Sequence, residues 1–243
     1  MSIETVKIPK SLKKSPLISV ACEVRFDGVE PYTDLFATKI AYSVLNGNIS
    51  DVTRLPVIQV PELARARDMM FEPVFGVKID DVDLLIGPKV IVVKTSCYQG
   101  WDRFCRVVLD TVSKTKPYIA RVIRAGFRSV DFFVDKRIDR ELNLSVNVQP
   151  DCEKESFERE GLSFAVTYID GKNRVRLIYS NDATVVDSGK SLKKGSVVDV
   201  DAFCNDPDKN VDDVIVQLHA LGKKVFFESM KESFVKTMEP VYE

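Results

Sequence analysis

The side chains best suited to bind a charged group lie in one strand-like stretch of this chain. That stretch, "RVIRAGFRSVDFFVD" (121–135), places three arginines among residues that ought to pack against one another. A guanidinium group has five N–H donors that match a carboxylate or a phosphate. These arginines therefore either pair with carboxylates inside the fold or bind an anionic ligand or partner. With two further basic side chains they form the set of candidate binding residues: Arg25, Arg121, Arg124, Arg128 and Arg137.

The alternation of side chains along two predicted strands favours internal pairing. At period two, Arg124 and Arg128 fall on one face of the stretch. The other face carries Phe127, Ser129, Asp131 and Phe133. In an earlier strand, "PLISVACEVRF" (16–26), Glu23 and Arg25 share the face opposite the apolar one. If the two strands are neighbours, Glu23 is the counter-ion for Arg128, and we predict this structural pair.

The familiar catalytic patterns do not occur in the sequence. The single histidine, His219, lies at the edge of the apolar stripe of a predicted helix, so we expect it to pack on the sheet. "DSGKS" (187–191) lacks the first glycine of a phosphate loop, because Thr184 stands at that position. No GxGxxG, GxSxG or kinase motif occurs. The sequence thus predicts no catalytic residue and no cofactor, and leaves an enzyme with an unrecognised carboxylate site as one alternative.

Metal-binding patterns fail in a similar way. With one histidine and scattered cysteines, no zinc spacing exists. "DPDKNVDD" (206–213) begins like a calcium loop, but Val211 replaces the glycine and Gln217 the final glutamate. We interpret this run as an acidic helix start, and we predict no metal site.

The charge of the chain is balanced overall but uneven along its length. The 35 basic and 36 acidic side chains give a net charge of −1, too small for bulk attraction to nucleic acid or an anionic membrane. Residues 1–140 hold 22 basic against 17 acidic side chains, net +5, and residues 141–243 hold 13 against 19, net −6. The most basic part is 114–140, with 8 basic and 3 acidic side chains. Halves of opposite charge attract each other, within one chain or between the subunits of a homodimer.

The cysteine content and the hydropathy pattern predict a cytoplasmic protein. The cysteines number five, an odd count with no CxxC pair, which is typical of reduced thiols. The opening "MSIETVKIPKSLKK" is basic, but the apolar stretch of a signal peptide does not follow it. No run approaches the roughly 18 apolar residues of a membrane helix. We therefore expect neither export nor a membrane partner.

Hydrophobic periodicity predicts the elements of a first half, residues 16–140. A strand at 16–26 precedes a helix in "EPYTDLFATKIAYSVLNG", which has Pro31 in its first turn. An antiparallel meander follows at 71–96, then an amphipathic helix in "CYQGWDRFCRVVLDTVSK" and the return strand quoted above. The apolar stripe of the first helix is predicted to contain Leu35, Phe36, Ile40 and Val44.

The second half, residues 141–243, repeats a simpler version of this plan. "ELNLSVNVQP", "GLSFAVTYI", "NRVRLIYS" and "GSVVDVDAFC" predict strands, and "NVDDVIVQLHALGKKVFFESM" predicts a long closing helix with a capping box at Asn210 and Asp213. The predicted fold class is α+β, with two mainly antiparallel meander-plus-helix halves packed as one unit and the helices on one face of the sheet. Residues 1–15 are predicted to be a loose lead-in.

Five stretches together resemble a known family. They are "SPLISVACEVRF", "YQGWDRF", "RAGFR", "VVDVDAF" and "QLHALGKKVFF". In this order they resemble the marks of a sporadically distributed family of uncharacterised bacterial proteins of about this size. After "RAGFR" that family tends to have an aromatic, an aliphatic and an asparagine residue, where this chain has Ser129, Val130 and Asp131. The resemblance implies no established activity, and the family's patchy distribution implies a mobile-element or phage-defence setting.

From these observations we predict a non-catalytic protein that binds another macromolecule. A protein partner is favoured, and a homodimer is a further option. The second hypothesis is a nucleic-acid or nucleotide binder that uses the basic face of residues 114–140. The third is the enzyme with an unrecognised carboxylate site.

Overall fold

The structure is a computed structural model that describes residues 7–31, 33–47, 51–66, 68–143, 161–186, 192–207 and 210–242. Its α-helices are α1 (Asp34–Val44), α2 (Trp101–Thr115), α3 (Val211–Glu228) and α4 (Glu232–Thr237). Its strands are β1 (Ser11–Leu12), β2 (Leu17–Gly28), β3 (Thr53–Arg54), β4 (Phe75–Ile79), β5 (Val82–Ile86), β6 (Val90–Thr95), β7 (Ile119–Val134), β8 (Ser163–Asp170), β9 (Asn173–Val186), β10 (Leu192–Asn205) and β11 (Pro240–Val241). From residue 144 onwards, the strand predicted in "ELNLSVNVQP" lies outside the described residues.

One antiparallel sheet of nine described strands forms the body of the molecule. Its order is β3-β4-β5-β6-β2-β7-β10-β9-β8, and every pair in it is antiparallel. β1 and β11 form a separate two-stranded ribbon. The predicted α+β class with a mainly antiparallel sheet is confirmed, because each half of the chain alternates hydrophobic and polar residues at period two in its strands.

The helices pack on one face of this sheet, as predicted. Every second residue of β2 is buried on that face: Val20, Cys22, Val24 and Phe26. These side chains belong to one core cluster with buried residues of α1, α2 and α3. α3 contacts β7, β10 and β9, whereas α1 contacts α2 and β5. None of the four described α-helices packs on the opposite face, which we call the open face. Near its edge, Phe71 of the 3-10 helix Asp68–Phe71 contacts Arg25, with the guanidinium group 5.2 Å from the ring centroid.

The two halves of the chain share the same layout around the central β2–β7 pair. In the first half, β2 is followed by the meander β4-β5-β6, whose last strand returns to pair with β2, and then by α2. In the second half, β7 is followed by the meander β8-β9-β10, whose last strand returns to pair with β7, and then by α3. Because β2 and β7 pair with each other, the two meanders extend one continuous sheet in opposite directions.

Two local predictions differ from the structure. Leu35, predicted to be on the apolar stripe of α1, is 68% exposed. At 100° per residue, Leu35 lies on the side of α1 opposite the buried Ala37, Ile40 and Val44. The helix begins at Asp34, and the hydroxyl group of Thr33 accepts a hydrogen bond from the backbone N–H of Phe36. At the start of α3, the Asn210 side chain accepts from the N–H of Asp212 instead of forming a box with Asp213.

We expect the chain to unfold as one cooperative unit. The β7–β10 pairing joins the halves along eleven residue pairs, and α3 packs on β7 from the other half. Calorimetry of the full chain should therefore show one transition. Separately expressed fragments 1–140 and 141–243 should each lack a cooperative transition, because each loses the neighbour of a central strand. Two independent transitions in the full chain, with both fragments folded alone, would contradict this expectation.

Candidate functional site

The structure brings three of the predicted arginines together on the open face. β2 and β7 are neighbours, and their register sets Glu23 opposite Gly126 and Arg25 opposite Arg124. On the other side of β7, Asp201 of β10 lies opposite Arg128. Three strands therefore contribute charged side chains to one patch at the centre of the sheet. We call this patch the ion-pair cluster: Glu23, Arg25, Arg124, Arg128, Asp199 and Asp201.

Arg124 links the two strands that flank β7. Its guanidinium group donates to Glu23 of β2 and, through Nη2, to Oδ2 of Asp201 on β10 at 3.0 Å. Arg25 donates from Nη2 to the second Glu23 oxygen at 3.1 Å. The Arg124 guanidinium group also lies over the Phe203 ring, 4.7 Å from its centroid. Each charge in this chain of contacts is thus held by at least one neighbour of opposite sign.

The predicted pair between Glu23 and Arg128 is wrong, because each of the two residues has a different partner. Arg128 instead forms a bidentate contact with Asp199, with Nε 2.8 Å from Oδ1 and Nη2 2.5 Å from Oδ2. The hydrogen bond to Asp199 is the main cause of the raised pKa of Arg128. Glu23 is taken by Arg124, because the strand position opposite Glu23 is Gly126, and the Arg124 guanidinium group lies over this glycine. A side chain at position 126 would meet Arg124 Nη1 at 3.2 Å.

The remaining two predicted arginines lie apart from this cluster. Arg121 is 64% exposed, and its nearest carboxylates, Asp27 and Asp206, are each 3.8 Å away. Arg137 follows the end of β7, with its Nε 3.7 Å from Oδ1 of Asp139. The five candidates therefore do not form a single basic site.

A second candidate site lies on the helix face of the sheet. It is a cavity of about 330 Å³ between β2, β7, α2, α3 and the segment 10–17. This segment crosses the cavity as a strap, because Lys10, Lys13 and Lys14 donate backbone hydrogen bonds to residues 238–241. We call it the helix-face cavity. The sequence interpretation did not identify it, since its walls come from parts of the chain that are far apart in sequence.

Aromatic rings form one wall of the helix-face cavity. The rings of Trp101 and His219 are stacked, with centroids 3.6 Å apart and planes 1° apart, and Phe127 meets both edge to face. Gly100 precedes α2 as its N-cap and has φ +110°, a conformation that favours glycine. Trp101 follows as the first residue of α2 and forms part of the cavity wall. Burial, and then the charge of Lys223, lowers the pKa of His219 to about 4. The expected packing of His219 on the sheet is thus observed, with a neutral ring at pH 7.

The helix-face cavity also contains an unusual acid. Asp131 of β7 lines it and is 5% exposed. Within the described part of the chain, its carboxyl group receives no hydrogen bond and forms no ion pair. Burial, and then the charge of Asp199 on the open face, raises the pKa of Asp131 to about 8. The sequence carried one signal of this site: an acid at a position of β7 that alternates with Phe127 and Phe133.

Comparison of the chain with protein-family models and with curated proteins found no match. Across the described ranges, no group of three or more His, Cys, Asp or Glu side chains is placed to hold a metal ion. Among the helices of those ranges, none is both long and apolar enough to cross a membrane. The candidate sites are therefore argued from their own geometry.

The geometry predicts energetic coupling between Glu23 and Arg124. Removing one partner leaves the other charge without its closest counter-ion, so the losses of Glu23→Gln and Arg124→Met should not add. Residues in one ion-pair network differ from additivity by about 0.5–3 kcal/mol. Chemical denaturation of the two single variants and the double variant measures this difference as a free energy of unfolding.

The matched control is the pair predicted from the sequence, Glu23→Gln with Arg128→Met. Their coupling should be clearly smaller than that of Glu23 with Arg124, because the two side chains have different direct partners although they belong to one cluster. Coupling in this control together with additivity for Glu23 and Arg124 would contradict the observed pairing.

Asp131 and His219 predict a specific dependence of stability on pH. A lowered folded-state pKa of about 4 for His219 makes stability rise between pH 4 and the ordinary histidine value of about 6.5. A raised folded-state pKa of about 8 for Asp131 makes stability fall as pH rises from its unfolded value of about 3.9 towards 8. Below about pH 6.5 the two residues have opposite effects on the free energy of unfolding. Between about pH 6.5 and 8 only the loss of stability due to Asp131 remains.

We expect denaturation curves to show the wild-type protein losing roughly 1–2 kcal/mol of unfolding free energy between about pH 6.5 and 8. Asp131→Asn should lose much less over the same interval, because the amide cannot ionise. Equal slopes for the two proteins would show that Asp131 already ionises with an ordinary pKa.

Proposed function

We propose that this protein is a non-catalytic, cytoplasmic binding protein that holds another protein against the open face of its sheet. The observation that carries the proposal is the face of nine strands on which no described α-helix packs, with an ordered ion-pair cluster at its centre. Nine strands at about 4.8 Å spacing make a surface roughly 40 Å wide. That width is enough for an interface of standard size, about 800 Å² on each partner. The bacterial mobile-element or phage-defence setting rests on the family resemblance alone.

The composition of the open face favours a protein partner with acidic groups. Its most exposed charge in the ion-pair cluster is a cation: the Arg128 side chain is 55% exposed, whereas that of its partner Asp199 is 11% exposed. Arg176 of β9, next to Asp201 in the register, is also exposed. Half-buried apolar residues lie between these charges, among them Val92, Ile178 and Phe203. Arginine and aromatic side chains around apolar positions are typical of protein interfaces.

Nucleic acid is the less favoured partner because the arginines at the centre already have carboxylate partners. A phosphate that took Arg124 would leave Asp201 without this partner and Glu23 with Arg25 alone, beside another negative charge. Losing a partner from a partly buried pair is unfavourable. Arg121 is exposed and lies outside the ion-pair cluster, so it offers a phosphate group one contact that leaves the cluster intact.

The proposal is tested by capturing the partner from the host with the wild-type chain and two charge-reversed variants. Arg176→Glu changes the open face, and Arg106→Glu is the matched control on an exposed position of α2. We expect the same protein to be captured by wild type and Arg106→Glu and to be lost from Arg176→Glu. Because the partner is a protein, capture should persist after nuclease treatment.

Three outcomes would contradict the proposal. Loss of the captured material on nuclease treatment would identify a nucleic-acid binder. Equal capture by Arg176→Glu and Arg106→Glu would exclude the open face as the docking surface. Capture of a second copy of the chain, seen also as a dimer of the purified protein, would replace the external partner by a homodimer.

A further inference from the structure

The helix-face cavity holds a carboxyl group that has no partner within the described chain. Asp131 lies at the inner wall of the cavity, and leaving a buried polar group without a hydrogen bond is destabilising. Most buried polar side chains in folded proteins are hydrogen-bonded, so an exception calls for an explanation. Because Asp131 lines the cavity, a molecule bound there can supply the missing contact.

We propose that the helix-face cavity binds a small organic amine, whose ammonium group pairs with Asp131 and whose apolar body packs against Trp101 and Phe127. The proposal concerns the face of the sheet opposite the proposed docking surface and does not depend on it. A pocket of about 330 Å³ lies at the lower end of the usual range for small-molecule sites. The ligand is therefore small, of the size of a single aromatic or branched aliphatic amine.

The surroundings of Asp131 favour an amine over a metal ion. The carboxyl group is the single acid among the described lining residues, which are aromatic, aliphatic, polar and basic, and no set of three metal-ligating side chains lies around it among the described residues. An ammonium group needs only one buried carboxylate and a few hydrogen-bond acceptors, and the hydroxyl group of Ser129 lies on the same wall. The flat Trp101 ring offers its aromatic surface to the body of the ligand.

The other titratable groups of the cavity are compatible with a bound cation. His219 is neutral at pH 7 and so adds no positive charge near Asp131. Lys223 also lines the cavity, and its ammonium group donates to the backbone carbonyl of Lys10 in the strap at 2.9 Å. Tyr98 adds a phenol whose pKa is raised to about 12, so it is uncharged as well. Lys10 lines the cavity as well, but the charge that raises the pKa of Asp131 is the negative one of Asp199 behind the strand, and not that of either lysine. The charge that acts most strongly on Asp131 is therefore negative, which favours a cation beside it.

The stretches that carried the family resemblance supply much of the cavity. "YQGW" contributes residues 98–101, "RAGFR" contributes Phe127, and "QLHALGKKVFF" contributes His219 and Lys223. The strand "SPLISVACEVRF" adds Ser15, Leu17 and Val20 to the opposite side. Four of the five quoted stretches thus meet at one place, although they are spread over more than 200 residues.

Trp101 provides a direct reporter of binding, because it is the one tryptophan of the chain and forms a wall of the cavity. The probes are benzylamine, 2-phenylethylamine, L-phenylalanine and L-leucine, with 2-phenylethanol and phenylacetate as uncharged and anionic counterparts. We expect at least one amine to change the Trp101 fluorescence saturably and more strongly than 2-phenylethanol. The simple amines and the amino acids share the ammonium group. Tighter binding of benzylamine or 2-phenylethylamine identifies the ligand as a simple amine, and tighter binding of L-phenylalanine or L-leucine identifies it as an amino acid.

The decisive variant is Asp131→Asn, which keeps the shape of the side chain and removes its charge. It should weaken amine binding roughly tenfold or more, because a hydrogen bond between charged groups is lost. Asp110→Asn is the matched control, since it removes an exposed carboxylate of α2 far from the cavity wall. Asp131→Asn should melt no lower than wild type, because an unpaired buried acid has been removed.

If Asp131→Asn fails to fold, the pH dependence of wild-type binding serves as the second measurement. Amine affinity should rise between pH 6 and 8, as Asp131 gives up its proton to bind the cation. The proposal is overturned if no amine changes the Trp101 fluorescence up to about 10 mM, a concentration that corresponds to very weak binding. It is overturned equally if 2-phenylethanol binds as tightly as 2-phenylethylamine, or if Asp131→Asn and wild type bind amines alike.

Discussion

The pairing of β7 on both of its edges is the interaction on which the rest of the structure depends. β7 is hydrogen-bonded to β2 on one side and to β10 on the other, so it joins the two halves of the chain into a single sheet. Both candidate sites lie on this strand, on opposite faces. Arg124 and Arg128 point to the open face, and Phe127 and Asp131 point to the helices. A slip of one residue in either pairing would exchange these faces and destroy both sites.

The two faces of β7 satisfy their charges in different ways. On the open face, Arg124 and Arg128 reach carboxylates on neighbouring strands and Arg25 reaches Glu23 of its own strand, so the cluster is neutralised inside the fold. On the helix face, Asp131 lies among aromatic and aliphatic groups, where desolvation favours its neutral form. The first arrangement holds strands together. The second stores an unfavourable interaction in a preformed cavity, as ligand sites commonly do.

Much of the fold was predictable from local patterns, whereas the contacts between distant segments were not. The order of elements in the first half follows from periodicity, and the split of β7 into an arginine face and an Asp131 face follows from alternation. The partner of Arg128 did not follow, because register and the strand beyond β7 decide it, and because Gly126 lets Arg124 reach Glu23. The cavity was hidden for the same reason. Asp131 was visible as an acid on an apolar face, but the strap, Trp101 and His219 meet it only in three dimensions.

The thinness of a single sheet has a further consequence, because Asp199 belongs electrically to both of its faces. Its carboxylate is bound by Arg128 on the open face, and the same charge contributes to the raised pKa of Asp131 on the helix face. Anything that draws Arg128 away from Asp199 leaves that negative charge uncompensated, which makes ionisation of Asp131 harder and holds a cation in the cavity more strongly. Linkage is reciprocal, so a cation beside Asp131 in turn alters how firmly Asp199 holds Arg128. Because the sheet is a single layer, a ligand bound on one face changes the electrostatic interactions of charged groups on the other face.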